Sequence, residues 1–135
     1  MKAYFTRAYT ISASHRLHSD ALSAEANRET FGKCDNPHGH GHNYRIEVTV
    51  GGAVDAATGM AINMATLDAV VRKEVLERFD HMNLNLDPMF GDRVSTTENL
   101  CIGIFDLLRG ALEPAELEKV RIEETENNFF EYSGS

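Results

Sequence analysis

Tyr44, Ile46, Val48 and Val50 are apolar, while Arg45, Glu47 and Thr49 between them are polar. This period of two predicts a strand with one buried face. Ala3–Ala13 alternates more weakly and fits a partner strand, and Gly51-Gly52 followed by Asp55 to Gly59 ends the second strand in turn chemistry. The pattern then changes to helical spacing. Met64, Leu67, Val71, Val75 and Phe79 form one apolar stripe, and Leu100, Ile104, Leu107, Leu108 and Ala111 form a cleaner second one. Before that second stripe, Ser95-Thr96-Thr97-Glu98 reads as a capping box, with the Ser95 hydroxyl and the Glu98 carboxylate satisfying amides of the first turn. Val120 and Ile122 alternate with Arg121 and Glu123 as a third strand, and Phe129–Tyr132 makes a fourth beyond a turn at Glu126-Asn127-Asn128. The order strand, strand, helix, helix, strand, strand predicts an α+β domain with both helices on one face of a four-stranded antiparallel sheet.

A chain of 135 residues has room for one such domain, spanning 1–135, and no repeat or linker divides it. Pro37, Pro88 and Pro114 stand as single loop markers. The net charge of −8 argues against nucleic acid or an anionic membrane surface as a partner. The charge is uneven: residues 1–45 carry six basic and four acidic side chains, and residues 46–135 carry seven and seventeen. An anionic small molecule therefore fits best near the N-terminal third. Cys34 and Cys101 cannot build the disulfide framework of a small secreted domain, so a reducing cytosol is expected. The N-terminus lacks the apolar run of a signal peptide, and no stretch has the roughly 20 apolar residues of a membrane span, which adds to the expectation of a soluble cytoplasmic protein.

Five of the six histidines, His15, His18, His38, His40 and His42, fall between positions 15 and 42. In His40-Gly41-His42 the two rings point to the same side of an extended chain, in phase with Tyr44, Ile46 and Val48. His15 shares parity with Ile11 and Ala13, so pairing of the first two strands brings a third ring to the same place. Three histidines with an open position are the ligand set of a catalytic zinc site. Cys34 would be a plausible base or nucleophile there, because a divalent cation favours the thiolate. Cys101, within a helical stripe, reads as an inert small hydrophobe. Asp80-His81 after the first helix reads by itself as a turn. Glu124 shares parity with Val120 and Ile122, and a carboxylate on the buried face requires a partner such as paired N–H donors.

Six blocks in order, Ser12-Ala13-Ser14-His15-Arg16-Leu17, Phe31 to Pro37, Gly39 to Tyr44, Asp80-His81-x-Asn83-Leu84, Ser95 to Asn99 and Glu124-Thr125-x-Asn127-Asn128, resemble the 6-pyruvoyl tetrahydropterin synthase family from about residue 10 onward. The resemblance implies the tunnelling fold, with trimers that form a barrel and stack in pairs into a homohexamer with sites between subunits. It implies removal of triphosphate from 7,8-dihydroneopterin triphosphate with internal redox rearrangement, and no external nicotinamide. By motif it assigns His15, His40 and His42 to zinc, Cys34 to proton abstraction, and Asp80 and His81 of a neighbouring subunit to a relay. It assigns Glu124 to the pterin's N–H edge and to the relay, with Thr96 and Thr97 lining the pocket. Arg7, Arg16 and Lys33 are the triphosphate candidates by charge. The related 6-carboxytetrahydropterin synthases typically place the cysteine three residues before the His-x-His pair. Here five residues separate Cys34 from His40, which favours the pyruvoyl chemistry, although His38 offers the shorter register Cys34-x-x-x-His38-Gly39-His40. In the longer register His38 is a spectator or an outer partner of the site. A noncatalytic zinc module would need a fourth ligand, with Cys34 available. A cupin-like barrel, suggested by His40-x-His42 and Glu47, is contradicted by the two helical stripes.

Overall fold

The computed structural model describes residues 1–112 and 115–134, so Pro114 lies outside the described residues. Two long strands carry the sheet. β1 (Lys2–His15) and β2 (His40–Ala53) pair antiparallel along their whole lengths, from Lys2 opposite Ala53 to His15 opposite His40. Odd positions of β1 and even positions of β2 share the inner face, as the alternation predicts. Both strands outrun that prediction at the histidine end, and β2 continues through Gly51 and Gly52 rather than turning there. At Gly52 a Cβ would come within 3.0 Å of the Ala61 carbonyl oxygen, a backbone atom, so the strand passes close to the chain beyond it there.

β2 is followed across the sheet by β4 (Glu116–Thr125) and β5 (Asn128–Tyr132), both antiparallel to their neighbours. The sheet nevertheless has five strands rather than four. β3 (Met82–Asn83) lies parallel to the end of β1, giving the order β3-β1-β2-β4-β5. A two-residue strand carries no period. It is set instead by the turn before it, where His81 N–H donates to the Ser12 carbonyl at 2.6 Å and Asp80 Oδ1 accepts from Ser12 N–H at 2.8 Å.

The predicted element order also lacks α1 (Ala24–Phe31), between β1 and β2. This helix has no apolar stripe. Its buried residue is Asn27, whose amide accepts from Ser19 N–H and donates to the carbonyls of Ser19, Leu22 and Ser23. A helix organised by one buried amide leaves no hydrophobic periodicity to read.

α2 (Met64–Val71) continues through a π-helical stretch, Arg72–Leu76, and a last α turn, Glu77–Phe79. Leu67, Val71, Val75 and Phe79 repeat every fourth residue and are all fully buried. An α-helix drifts by about 40° over four residues. The wider π turns absorb that drift and keep the stripe on the sheet. α3 (Thr97–Leu108) buries Leu100, Ile104 and Leu108 in the same core as Ile46, Val48, Val120 and Ile122, and Ala111 falls beyond its end. Its N-cap is Thr96 and not Ser95: Thr96 Oγ1 accepts from Asn99 N–H at 3.2 Å. Ser95 is needed elsewhere.

Candidate metal centre

The direct pairing of His15 with His40, and of Ala13 with His42, places three imidazoles at the mouth of the buried face. Among the described residues, these three histidines form a group whose ligand atoms all lie within 4.8 Å of one another. His15 Nε2 stands 3.2 Å from His40 Nε2. Two nitrogens on one tetrahedral zinc are roughly 3.4 Å apart, given bonds of about 2.0–2.1 Å. His42 Nε2 is buried with no hydrogen-bond partner. The donor set therefore fits a divalent metal with an open position, and an ion there would satisfy the orphaned nitrogen.

The orientation of His15 is fixed from behind. Its ring is 1 % exposed, and Nδ1–H donates to the Ser95 carbonyl at 2.7 Å. That bond leaves the Nε2 lone pair facing the other two rings, the usual device by which an outer partner sets a ligand's tautomer. Ser95 Oγ in turn donates to the Arg16 carbonyl at 3.3 Å, so the residue expected to cap α3 instead ties that helix to the end of β1. Burial lowers the pKa values of His15 and His42, and the neighbouring rings push in the same direction. The neutral, metal-binding forms are favoured.

Tyr44 forms the floor of the cluster. It is fully buried, its ring stands edge-on to His42 and His15 at centroid distances of 5.5 and 6.1 Å, and its hydroxyl lies 3.4 Å from His15 Nδ1. Its pKa is raised by burial first and then by the charges of Glu124 and Cys34, so it remains a proton donor. Thr97 Oγ1 faces this hydroxyl, buried and without a well-formed hydrogen bond. Sequence reasoning missed Tyr44 as part of the site. Its parity with His40 and His42 was the available signal.

Glu124 reaches the same point from β4. Its Oε1 lies 3.4 Å from His42 Nε2 and 3.7 Å from His15 Nε2, while Oε2 accepts from Asn128 Nδ2 at 3.0 Å. A carboxylate this close to the three histidines faces whatever group binds beside them. Cys34 lies in a 3₁₀ turn, Gly32–Asp35, fastened to the segment just after β1 by Leu17 N–H on the Cys34 carbonyl at 2.8 Å. Its side chain is only partly buried.

Asp80 and His81 do not join this cluster within one chain. His81 is 82 % exposed in its side chain and lines, with Ser12, Ser14, Asn43 and His42, a cavity at the β3 edge of the sheet. It is also, among the described residues, the non-glycine with positive φ, at 62°. Such a conformation costs on the order of 1–2 kcal/mol and persists only where surroundings impose it. Here Ser12 imposes it through both of its backbone hydrogen-bonding groups. Thr96 is spent on the helix cap, and His38 is exposed and outside the histidine group. Arg7 is not available for a triphosphate: its odd position turns it to the helix side, where Nε donates to Asp68 Oδ1 at 2.7 Å.

The family model described as 6-pyruvoyl tetrahydropterin synthase matches residues 4–135. The chain is 48 % identical over 134 residues to 6-pyruvoyl tetrahydrobiopterin synthase of Homo sapiens, covering 98 % of this chain and 92 % of that one. It is 47 % identical over 134 residues to the Drosophila melanogaster protein of the same name, covering 98 % and 80 %. A putative 6-carboxy-5,6,7,8-tetrahydropterin synthase of Archaeoglobus fulgidus matches at 35 % over 92 residues, 68 % of this chain and 73 % of that one. The solved structure of Caenorhabditis elegans 6-pyruvoyl tetrahydropterin synthase superposes with a TM-score of 0.94 at 44 % identity, covering 100 % of this chain and 97 % of that one. The chain belongs to the 6-pyruvoyl tetrahydropterin synthase family.

Proposed function

We propose that this protein is a zinc-dependent 6-pyruvoyl tetrahydropterin synthase, which removes triphosphate from 7,8-dihydroneopterin triphosphate and rearranges the remaining side chain by internal redox. The observation that carries the chemistry is the convergence of His15, His40 and His42, with the orphaned His42 Nε2, beside the Glu124 carboxylate. Relatives named for the pyruvoyl activity match at 46–48 % over nearly the whole chain, which supports this reading over the carboxy alternative.

His15, His40 and His42 would hold the metal, which supplies Lewis acidity to the side-chain oxygens of the substrate and so acidifies the adjoining C–H bonds. Cys34 takes a proton from one of these carbons, and triphosphate leaves with the electron pair of its C–O bond. Glu124 and the Tyr44 hydroxyl stand within the same cluster and keep its protons on defined atoms. The fused pterin ring holds its amino edge well away from the side-chain hydroxyls. A carboxylate within 3.4 Å of a metal-directed nitrogen therefore suits the hydroxyl end of the substrate and the relay better than the N–H edge. Thr97 lines the floor beside Tyr44.

Asp80 and His81 complete the relay from a second copy of the chain. Their exposure, the positive φ of His81 and their place at the β3 edge of the sheet all suit a residue pair presented outward. This supports a homo-oligomer with shared sites, and the hexamer built from two trimers is the assembly proposed. Among the described residues no helix is long and apolar enough to cross a membrane, and a cytoplasmic location is proposed.

Incubation of zinc-loaded protein with 7,8-dihydroneopterin triphosphate should yield tripolyphosphate and 6-pyruvoyl tetrahydropterin by mass spectrometry. A carboxylated pterin would move the protein to the sister activity, and unchanged substrate on metal-loaded protein would make it a binding module.

A further inference from the structure

Lys33 and Asp35, the residues on either side of Cys34, line a cavity of about 490 Å³ whose other walls include Arg16, His18 and Arg28. Three fixed positive charges therefore face one carboxylate, in a chain whose net charge is −8. That carboxylate is already committed. Asp35 Oδ1 accepts from His18 Nδ1 at 2.8 Å and pairs with Arg16 Nη2 at 3.0 Å, and the bond from His18 leads the causes that hold its pKa low. Arg28 and Lys33 have no carboxylate within ion-pair distance among the described residues, and they remain the uncompensated charges of the cavity. Unpaired cations around a concave wall concentrate anions from solution.

The cavity adjoins the metal centre through the backbone. Arg16 follows the ligand His15, Lys33 precedes Cys34, and Arg16 Nε donates to the Asp35 carbonyl at 3.0 Å. In the substrate assigned above, the triphosphate hangs on the carbon next to those bearing the hydroxyls. An anion so tethered must settle within a few bonds of the histidines.

We propose that this cavity is a polyphosphate subsite in which Arg28 and Lys33 bind the anion directly and Arg16, held by Asp35, completes the wall. The identity of the anion as the substrate's triphosphate rests on the function proposed above. Arg28 offers the planar fork that grips two phosphate oxygens, and Lys33 offers a mobile point charge.

Metal-free protein titrated with inorganic tripolyphosphate tests the subsite without turnover and without zinc as a competing ligand. Wild type should bind the anion, and Arg28→Ala and Lys33→Ala should each weaken binding by about tenfold, the loss expected for one charge-assisted contact. Arg28→Lys, which keeps the charge but not the fork, should fall between wild type and Arg28→Ala. Both alanine sites are solvent-exposed, and unchanged circular dichroism will show that the variants fold. No binding by wild type, or equal binding by wild type and the alanine variants, overturns the subsite. Zinc-loaded protein titrated with 7,8-dihydroneopterin, which carries no phosphate, separates the two layers: wild type and variants should bind it equally. If the pterin fails to bind while tripolyphosphate binding still depends on Arg28 and Lys33, the subsite stands and the assigned substrate falls. With the triphosphate substrate, the alanine variants should raise KM about tenfold and leave kcat within about twofold.

Discussion

The inward row of β2 changes character at Tyr44. Ile46, Val48 and Val50 are fully buried among apolar neighbours, whereas His42 and Tyr44, with His15 across from them, continue the same row as a polar cluster. One pleat builds both regions. The apolar region gains stability from every side chain it buries. The polar region takes His15 and Tyr44 out of water and leaves His42 Nε2 and Thr97 Oγ1 without partners. Unpaired buried polar atoms are costly, so this end gives up stability to hold its donors in place before any ligand arrives.

The two cysteines repeat the contrast, and the largest expected effect lies there. Cys34→Ala should lower turnover by about 10²–10⁴-fold, the usual contribution of a positioned base, while zinc content by metal analysis stays at wild-type level. Cys101 is buried in the core, its thiol pushed up to about 12 chiefly by burial, and it donates to the Val120 carbonyl at 3.1 Å. Cys101→Ala should cost stability and leave turnover per folded molecule intact. Equal loss in both variants would remove Cys34 from the chemistry.

A reciprocal pair of substitutions separates the two ends of β2. His42→Ala removes a proposed ligand and should weaken zinc binding by more than about 100-fold, beyond what losing a ligand's outer hydrogen-bond partner costs, with little cost in the metal-free protein's stability. Ile46→Ala leaves a cavity under the sheet and should cost about 2–5 kcal/mol in chemical denaturation, with zinc affinity of the folded fraction unchanged. Full zinc occupancy in His42→Ala would refute its role as a ligand.

What could be read from sequence follows the same division. The apolar rows and stripes have a period, so the two long strands, both long helices and the α+β class were legible. The parity of His15, His40 and His42 was legible for the same reason. The elements that escaped are held by hydrogen bonds rather than by burial: α1 around the Asn27 amide, and β3 on the backbone of Ser12. The box around Ser95 misled because a hydroxyl before a helix has several possible uses. Thr96, one residue later, makes the cap, while the Ser95 carbonyl holds His15. Nor could charge along the chain distinguish Arg7, which Asp68 neutralises, from Arg28, which no carboxylate in the cavity approaches within ion-pair distance.

Acid should act on both regions, by the same sign. Asp35 near Cys34, and Asp68 and Asp87 away from it, have lowered pKa values, owing first to hydrogen bonds from His18, Tyr9 and Arg78 respectively. Such carboxylates bind fewer protons folded than unfolded. Their contribution is complete above the ordinary carboxylate range and is lost as pH falls below about 4 through the lowered folded values. Asp68→Asn should flatten the acid limb of the stability curve and leave turnover unchanged at neutral pH. Asp35→Asn should flatten it similarly but also lower turnover, because Asp35 ties the Cys34 turn to Arg16.

The smallest effect is expected at the seam between the two regions, the start of α3. Thr96→Ala removes the hydroxyl that accepts from Asn99 N–H and should cost about 1 kcal/mol. A cap acting on the core alone would stop there. Ser95, however, is the residue before the cap, and its carbonyl receives the His15 Nδ1–H bond at 2.7 Å. Loosening the first turn of α3 therefore lets that carbonyl move and frees the ring it orients, so zinc affinity should fall by up to about tenfold, the lower range for losing a ligand's outer partner. Gly134→Ala at the far end of the chain provides the control. Its φ of 99° and the approach of a new Cβ to Arg109 Nη2 at 2.9 Å and to Phe105 Cζ at 3.1 Å strain the C-terminal end of the same helix without touching Ser95. If Gly134→Ala and Thr96→Ala shift zinc affinity equally, the coupling runs through global stability rather than through Ser95. A shift confined to Thr96→Ala traces it to the single carbonyl where the core helix meets His15.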